Sequence, residues 1–184
     1  MKKHLLMKSI LVMLSLFALS GNLFAQEYQE YRKDVPLIKG GAEGADNCRF
    51  RICIIQTWKC GDEGVYSYRN CAEMSFNEKL NITYLVGSSP DFGCEMVTSE
   101  VTATKISNDP GQPDETLTIT GQDAENFLAI LRNDGLTPPP VAQVHFGTFK
   151  TNCQGAPLGI KEWSLDFNSG FNPGDEPYFF LNGW

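Results

Sequence analysis

The sequence predicts an α+β fold: a mostly antiparallel β-sheet or sandwich with one amphipathic helix at about residues 121–133, stabilised by disulfides. Three observations carry that expectation. Alternating apolar and polar residues recur along most of the chain, the stretch from Thr116 to Phe149 reads as strand, helix, strand, and six cysteines all lie beyond an export signal. Period-2 alternation marks half-buried strands, whereas an i, i+3, i+4, i+7 spacing marks one face of a helix.

The first 25 residues have the composition of a signal peptide. Lys2, Lys3 and Lys8 precede an apolar run from Ile10 to Leu19, and Leu23, Phe24 and Ala25 end the segment. A basic start, a short apolar centre and a small residue at the end are what export and cleavage require. Cleavage after Ala25 leaves 159 of the 184 residues. No later stretch approaches the ~20 apolar residues of a membrane span. Residues 26–47 are polar, with Gly40, Gly41 and Gly44, and are expected to form a flexible N-terminal arm. Residues 48–184 are expected to form a single disulfide-bonded, β-rich domain, a size at which one core buries ~70% of the unfolded surface.

Within that domain Phe50, Ile52 and Ile54 alternate with Arg49, Arg51 and Cys53 as a strand running to about Trp58. Cys60 to Gly64 make a turn, and Tyr66 and Tyr68 suggest a short strand with both aromatics on one face. Asn70 to Glu78 fits a helical turn or a loop equally well. Leu80, Ile82, Tyr84 and Val86 mark the next strand, and Gly87 to Gly93 the next turn. The run from Glu95 to Ile106 is rich in Val and Thr, residues that fit a pleated, half-exposed surface. It should pair antiparallel with Thr116–Thr120 across the loop of residues 108–115.

The helix is predicted where Ala124, Phe127, Leu128 and Leu131 share a stripe and Asp123, Glu125, Asn126 and Arg132 cover the opposite side. Thr120 and Asp123 stand at capping-box spacing, the charges at the two ends suit the helix dipole, and Gly135 supplies the stop. After Pro138, Pro139 and Pro140, the residues Val144, Phe146 and Thr148 alternate with Gln143, His145, Gly147 and Phe149. A crossover helix of this length also permits a small parallel element between its flanking strands. Trp163, Leu165 and Phe167 define a further strand. The aromatic segment Tyr178, Phe179, Phe180, Leu181 and Trp184 is expected to dock as the last one, because left free it would expose a sticky apolar patch.

Charge and cysteine usage bound the partners. The formal charge of −7 becomes −10 once the three signal-peptide lysines are removed. An acidic surface repels phosphate backbones and anionic lipid, so nucleic acid is excluded as a partner, and so is membrane after signal cleavage. Cys48, Cys53, Cys60, Cys71, Cys94 and Cys153 are even in number and exported, which predicts three disulfides. Fifteen pairings are open at this level. Cys153 must reach back across the chain and tie its two halves together. The spacings contain no C-x-x-C, which disfavours zinc.

Catalytic signatures are scarce. His145 is the only histidine beyond the signal peptide, and neither G-x-S-x-G nor H-E-x-x-H occurs. Glu162 and Asp166 share a strand face and are the only pair singled out for a carboxylate-dependent hydrolase such as a glycosidase. Calcium is the one cofactor whose chemistry suits the loops. Asp109, Asp114 and Glu115, with Asn108, form one oxygen-rich segment; Asp175 and Glu176, with Asn168 and Asn172, form the other. Trp58, Trp163, Trp184, Tyr66 and Tyr68 are the aromatics expected to stack on a sugar ring or a protein surface. The functional expectation is an exported, non-catalytic binding or interaction module, adhesin-like, carbohydrate-binding or inhibitor-like, with a protein or carbohydrate ligand.

Overall fold

A computed structural model describes residues 29–40, 47–62, 64–76, 78–86, 94–107, 111–132, 141–153, 162–170 and 175–183. In chain order the elements are β1 (Gln29–Gly40), β2 (Arg49–Cys60), β3 (Gly64–Ser75), β4 (Lys79–Val86), β5 (Cys94–Ile106), β6 (Glu115–Thr120), α1 (Gly121–Arg132), β7 (Gln143–Phe149), β8 (Trp163–Asn168) and β9 (Tyr178–Gly183). They form a five-stranded sheet in the order β4-β1-β9-β8-β7 and a four-stranded sheet in the order β3-β2-β5-β6. All pairings are antiparallel except β1 with β9. The chain is thus mostly β-sheet, in a sandwich-like arrangement. The predicted signal peptide lies outside the described residues.

One continuous core joins the two sheets. β2 contributes Phe50, Ile52 and Ile54, β4 contributes Leu80 and Ile82, and β7 to β9 contribute Phe149, Trp163, Leu165, Phe167, Phe179 and Leu181. The rings of Phe50 and Phe149 meet across the sheets at 5.5 Å. The helix α1 buries Ala124, Phe127, Leu128, Ile130 and Leu131. Phe127 lies 4.4 Å from Phe167, 5.7 Å edge-on to Phe146 and 6.1 Å from Phe179, so the helix is seated on the aromatics of the five-stranded sheet. No residue separates β6 from α1. The reversal between them falls on Gly121, whose φ of +55° is a conformation that L side chains rarely adopt.

Several expectations are corrected. The segment expected to be a flexible arm contains β1, which pairs with β4 on one side and β9 on the other. Among its described side chains only Val35 and Leu37 are buried, while ladder hydrogen bonds from two neighbours hold the rest. The short strand at Tyr66 and the undecided segment after it are one strand, β3, twelve residues long. The strands flanking the helix belong to different sheets, so no parallel element joins them; the parallel pair is β1–β9. In β7 the alternation breaks at a register shift between His145 and Gly147. An extra residue in one strand reverses the facing of the residues beyond it, and Phe149 is therefore buried together with Val144 and Phe146. Gly147, with φ of +132°, makes this irregularity close to β6: a Cβ there would lie 3.2 Å from Leu117 Cδ2.

The cysteines pair as Cys48–Cys153, Cys53–Cys71 and Cys60–Cys94, with Cα–Cα distances of 5.2, 4.1 and 3.9 Å. The first pair joins residues 105 apart in sequence, across the two sheets. The other two link directly opposed residues on β2–β3 and β2–β5.

Candidate binding site at one end of the four-stranded sheet

Alternation along β2 sends its even-numbered residues toward the interior. Near its start these are Phe50, Ile52 and Ile54; further on they are Gln56, Trp58 and Cys60. The register places Tyr68 and Ser99 on either side of Gln56, then Tyr66 and Met96 on either side of Trp58, and then Gly64 and Cys94 beside Cys60. Two adjacent rungs therefore bring two tyrosines, a tryptophan, a methionine, an amide and a hydroxyl to one face of the sheet.

Exposure changes steadily along this face. On β3, Met74 is buried, Ala72, Asn70 and Tyr68 are half-buried, and Tyr66 is 48% exposed. Asn70 Oδ1 accepts a hydrogen bond from the Thr83 amide at 3.4 Å, which marks where β4 abuts β3. Tyr68 and Tyr66 lie beyond that point. Trp58, only 3% exposed, forms a floor, with Tyr66 at its rim. Gln56 is fully buried and its Nε2 donates to Met96 Sδ at 3.6 Å. Ser99 is 5% exposed, and its hydroxyl has no hydrogen-bond partner among the described residues.

A bulge shapes the same rungs. Thr57 pairs with Thr98 but Trp58 pairs with Met96, so Val97 is the extra residue and is 53% exposed. Bulges re-aim side chains and are enriched beside functional sites. Val65, 67% exposed, lies one residue from Tyr66. Of the four large hydrophobic residues exposed among those described, Tyr66 and Val97 lie at these rungs, Val65 lies at the same end of β3 but on its outer face, and Ile38 on β1 is the fourth.

The other sequence-nominated residues lie elsewhere. Trp163 is completely buried in the core and its Nε1 donates to Asn152 Oδ1 at 3.3 Å, which removes it from any exposed stacking surface. Trp184 and Asp109 lie outside the described residues. Asp114 Oδ1 accepts the Ser107 amide at 2.9 Å, closing the loop between β5 and β6.

Glu115 has a different partner set. Its carboxylate accepts the amides of Lys150 and Thr151 at 2.6 and 3.1 Å and the Thr151 hydroxyl at 2.9 Å. It also stands 3.6 Å from Lys105 Nζ, which donates to the Thr151 carbonyl. Partial burial pushes the Glu115 carboxyl up, but these donors and the ammonium outweigh it and hold the group below its ordinary range. Burial lowers the Lys105 ammonium, with Glu115 opposing. This network ties β6 to the chain just before Cys153.

Asp175 and Glu176 are exposed, and Glu176 pairs with Lys79 at 3.5 Å. Among the described residues no three His, Cys, Asp or Glu side chains converge in a metal-holding group. The acids considered for hydrolysis are engaged separately, Glu162 with Lys150 and Asp166 with His145 Nδ1, each at 2.7 Å.

Sequence reasoning nominated Trp58, Tyr66 and Tyr68 but left Gln56, Met96, Val97 and Ser99 unassigned to a site. The signal that joins them is the phase break at Met96–Thr98 in an otherwise regular alternation. Compared with protein-family models, curated proteins and solved structures, the chain matches none.

Proposed function

We propose that this chain is an exported, non-catalytic binding module whose ligand, a protein surface or a carbohydrate, meets the Tyr66 end of the four-stranded sheet. The observation that carries the reading is the exposure of Tyr66 and Val97 at the rungs floored by Trp58, with the exposed Val65 on the outer face at the same end of β3. Exposed apolar and aromatic side chains grouped at one place suit association, and aromatic rings present large, rigid contact area at low entropic cost. The neighbouring Cys60–Cys94 bridge holds β2 against β5 beside those rungs, so part of the ordering cost is met before a ligand arrives.

Export and an oxidising destination, secreted or periplasmic, fit the three bridges and the basic, apolar start of the sequence. No helix among the described residues is long and apolar enough to cross a membrane. The test is a glycan array and a pull-down with the oxidised protein lacking residues 1–25, run beside Tyr66→Ala and Val97→Asp. A ligand captured by the parent and lost by both variants supports the reading. A ligand held equally by all three places recognition elsewhere.

A further inference from the structure

We propose that the Cys53–Cys71 bridge is a thiol–disulfide exchange site, opened by an external thiolate at Cys71. The three bridges differ in what surrounds their sulfurs. Cys48 and Cys153 are 1% and 7% exposed, and Cys60 and Cys94 are 2% and 4% exposed. Cys53 is likewise buried, at 2%, but its partner Cys71 is exposed on the outer face of β3. An attacking thiol must reach one sulfur from the side opposite the bond it breaks, and only this bridge offers a solvent-facing residue.

The second observation concerns the sulfur that leaves. Arg69, two residues before Cys71 on the same face of β3, directs Nη2 to Cys53 Sγ at 3.8 Å. A thiolate released in apolar surroundings is disfavoured; a guanidinium beside it restores its stability and speeds its departure. In the step itself, the external thiolate forms a bond to Cys71 Sγ and the Cys53–Cys71 bond breaks. The bonding electron pair remains on Cys53 as a thiolate facing Arg69. The attacking thiol has already given its proton to solvent, and no outside oxidant or reductant is consumed. The reverse attack by Cys53 on the mixed disulfide restores the bridge and expels the thiol.

The fold can tolerate this opening. Cys53 and Cys71 are directly opposed in a β2–β3 ladder that pairs from Arg49–Ser75 to Cys60–Gly64, so the two strands stay in register without the bond. The bridge spans 18 residues, against 105 for Cys48–Cys153, and constrains the unfolded chain least of the three.

The oxidised protein is exposed to reduced glutathione under native conditions, quenched at intervals with a thiol-blocking reagent, and mapped by peptide mass. The expected result is opening of Cys53–Cys71 at least tenfold faster than the other two bridges, with glutathione on Cys71 and the blocking group on Cys53. Arg69→Gln should slow opening severalfold, and Arg69→Lys should recover part of the rate. Equal rates for the three bridges, earlier opening of either buried bridge, or glutathione on Cys53 would overturn the proposal. So would an Arg69→Gln protein of native circular dichroism that opens at the parent rate. The position of the mixed disulfide is read on the unmutated chain, so the test survives a variant that fails to fold.

Discussion

The two ends of β2 obey the same alternation and end in different environments. From Phe50 to Ile54 the inward residues are aliphatic or aromatic, fully buried, and covered by the five-stranded sheet, with Phe149 directly against Phe50. From Gln56 to Trp58 the inward residues are still buried, yet their cross-strand neighbours become hydroxyls and tyrosines and then open to solvent. Periodicity sets which side of a strand a residue faces. What lies above that side decides whether the residue stabilises the protein or is offered to a partner. The covered end should therefore carry stability, and the open end recognition.

The largest expected effect comes from the bridge that ties the covered end to the second sheet. Replacing Cys48 and Cys153 together by alanine should cost about 4–5 kcal/mol, since the loop they close exceeds 100 residues. Chemical denaturation reads this directly; a loss below about 1 kcal/mol would mean that the core alone joins the sheets. Phe127→Ala should follow at about 3–4 kcal/mol, because its ring touches three other phenylalanines and the space cannot refill. Neither change should alter intrinsic contacts at Tyr66 once the protein is folded.

Glu115→Gln is expected to cost about 2 kcal/mol at neutral pH, by weakening charge-assisted hydrogen bonds and leaving the buried Lys105 ammonium without its counter-charge. The effect depends on pH in one direction. The folded carboxyl titrates below its unfolded value, so its contribution is complete above the ordinary carboxylate range, roughly pH 4 to 4.5, and is lost as pH falls through the folded value. Stability curves of parent and variant should converge in acid; a constant gap down to pH 2 would contradict this assignment. The smallest stability effect belongs to the open end. Tyr66→Ala should change unfolding free energy by no more than about 0.5 kcal/mol while weakening ligand binding tenfold or more. A large destabilisation would show that Tyr66 is structural and would erase the contrast between the two ends.

Much of the fold was legible from side-chain periodicity. β2, β4 and β8 each bury an alternating apolar row, and β5 and β6 show the same alternation with fewer apolar residues buried, none of which requires knowledge of the rest of the chain. β1 was not legible, because pairing with two neighbours stabilises it through backbone groups that sequence pattern does not record. β3 escaped for a related reason: at an edge of the four-stranded sheet it keeps most of its residues partly or fully exposed and so lacks the apolar signature of a strand. The site was legible in part. Tyr66 and Tyr68 stand two apart and share a face whatever their partners, but Trp58 and Ser99 join them only through strand register. Trp163 shows the converse, since an aromatic residue at the start of a strand looks the same in sequence whether it meets solvent or a second sheet.

The pairing of β1 with β9 has a consequence for how the molecule is made. Leu37 finds its neighbour only in Phe179, so a chain synthesised from its amino end displays one unsatisfied margin of β1 until nearly all the described residues have emerged. Assembly of the five-stranded sheet is consequently a late, concerted event, as is usual where contacts join distant parts of a chain. An early stop that deleted β9 would leave two raw margins, on β1 and β8, inviting aggregation rather than a smaller working protein.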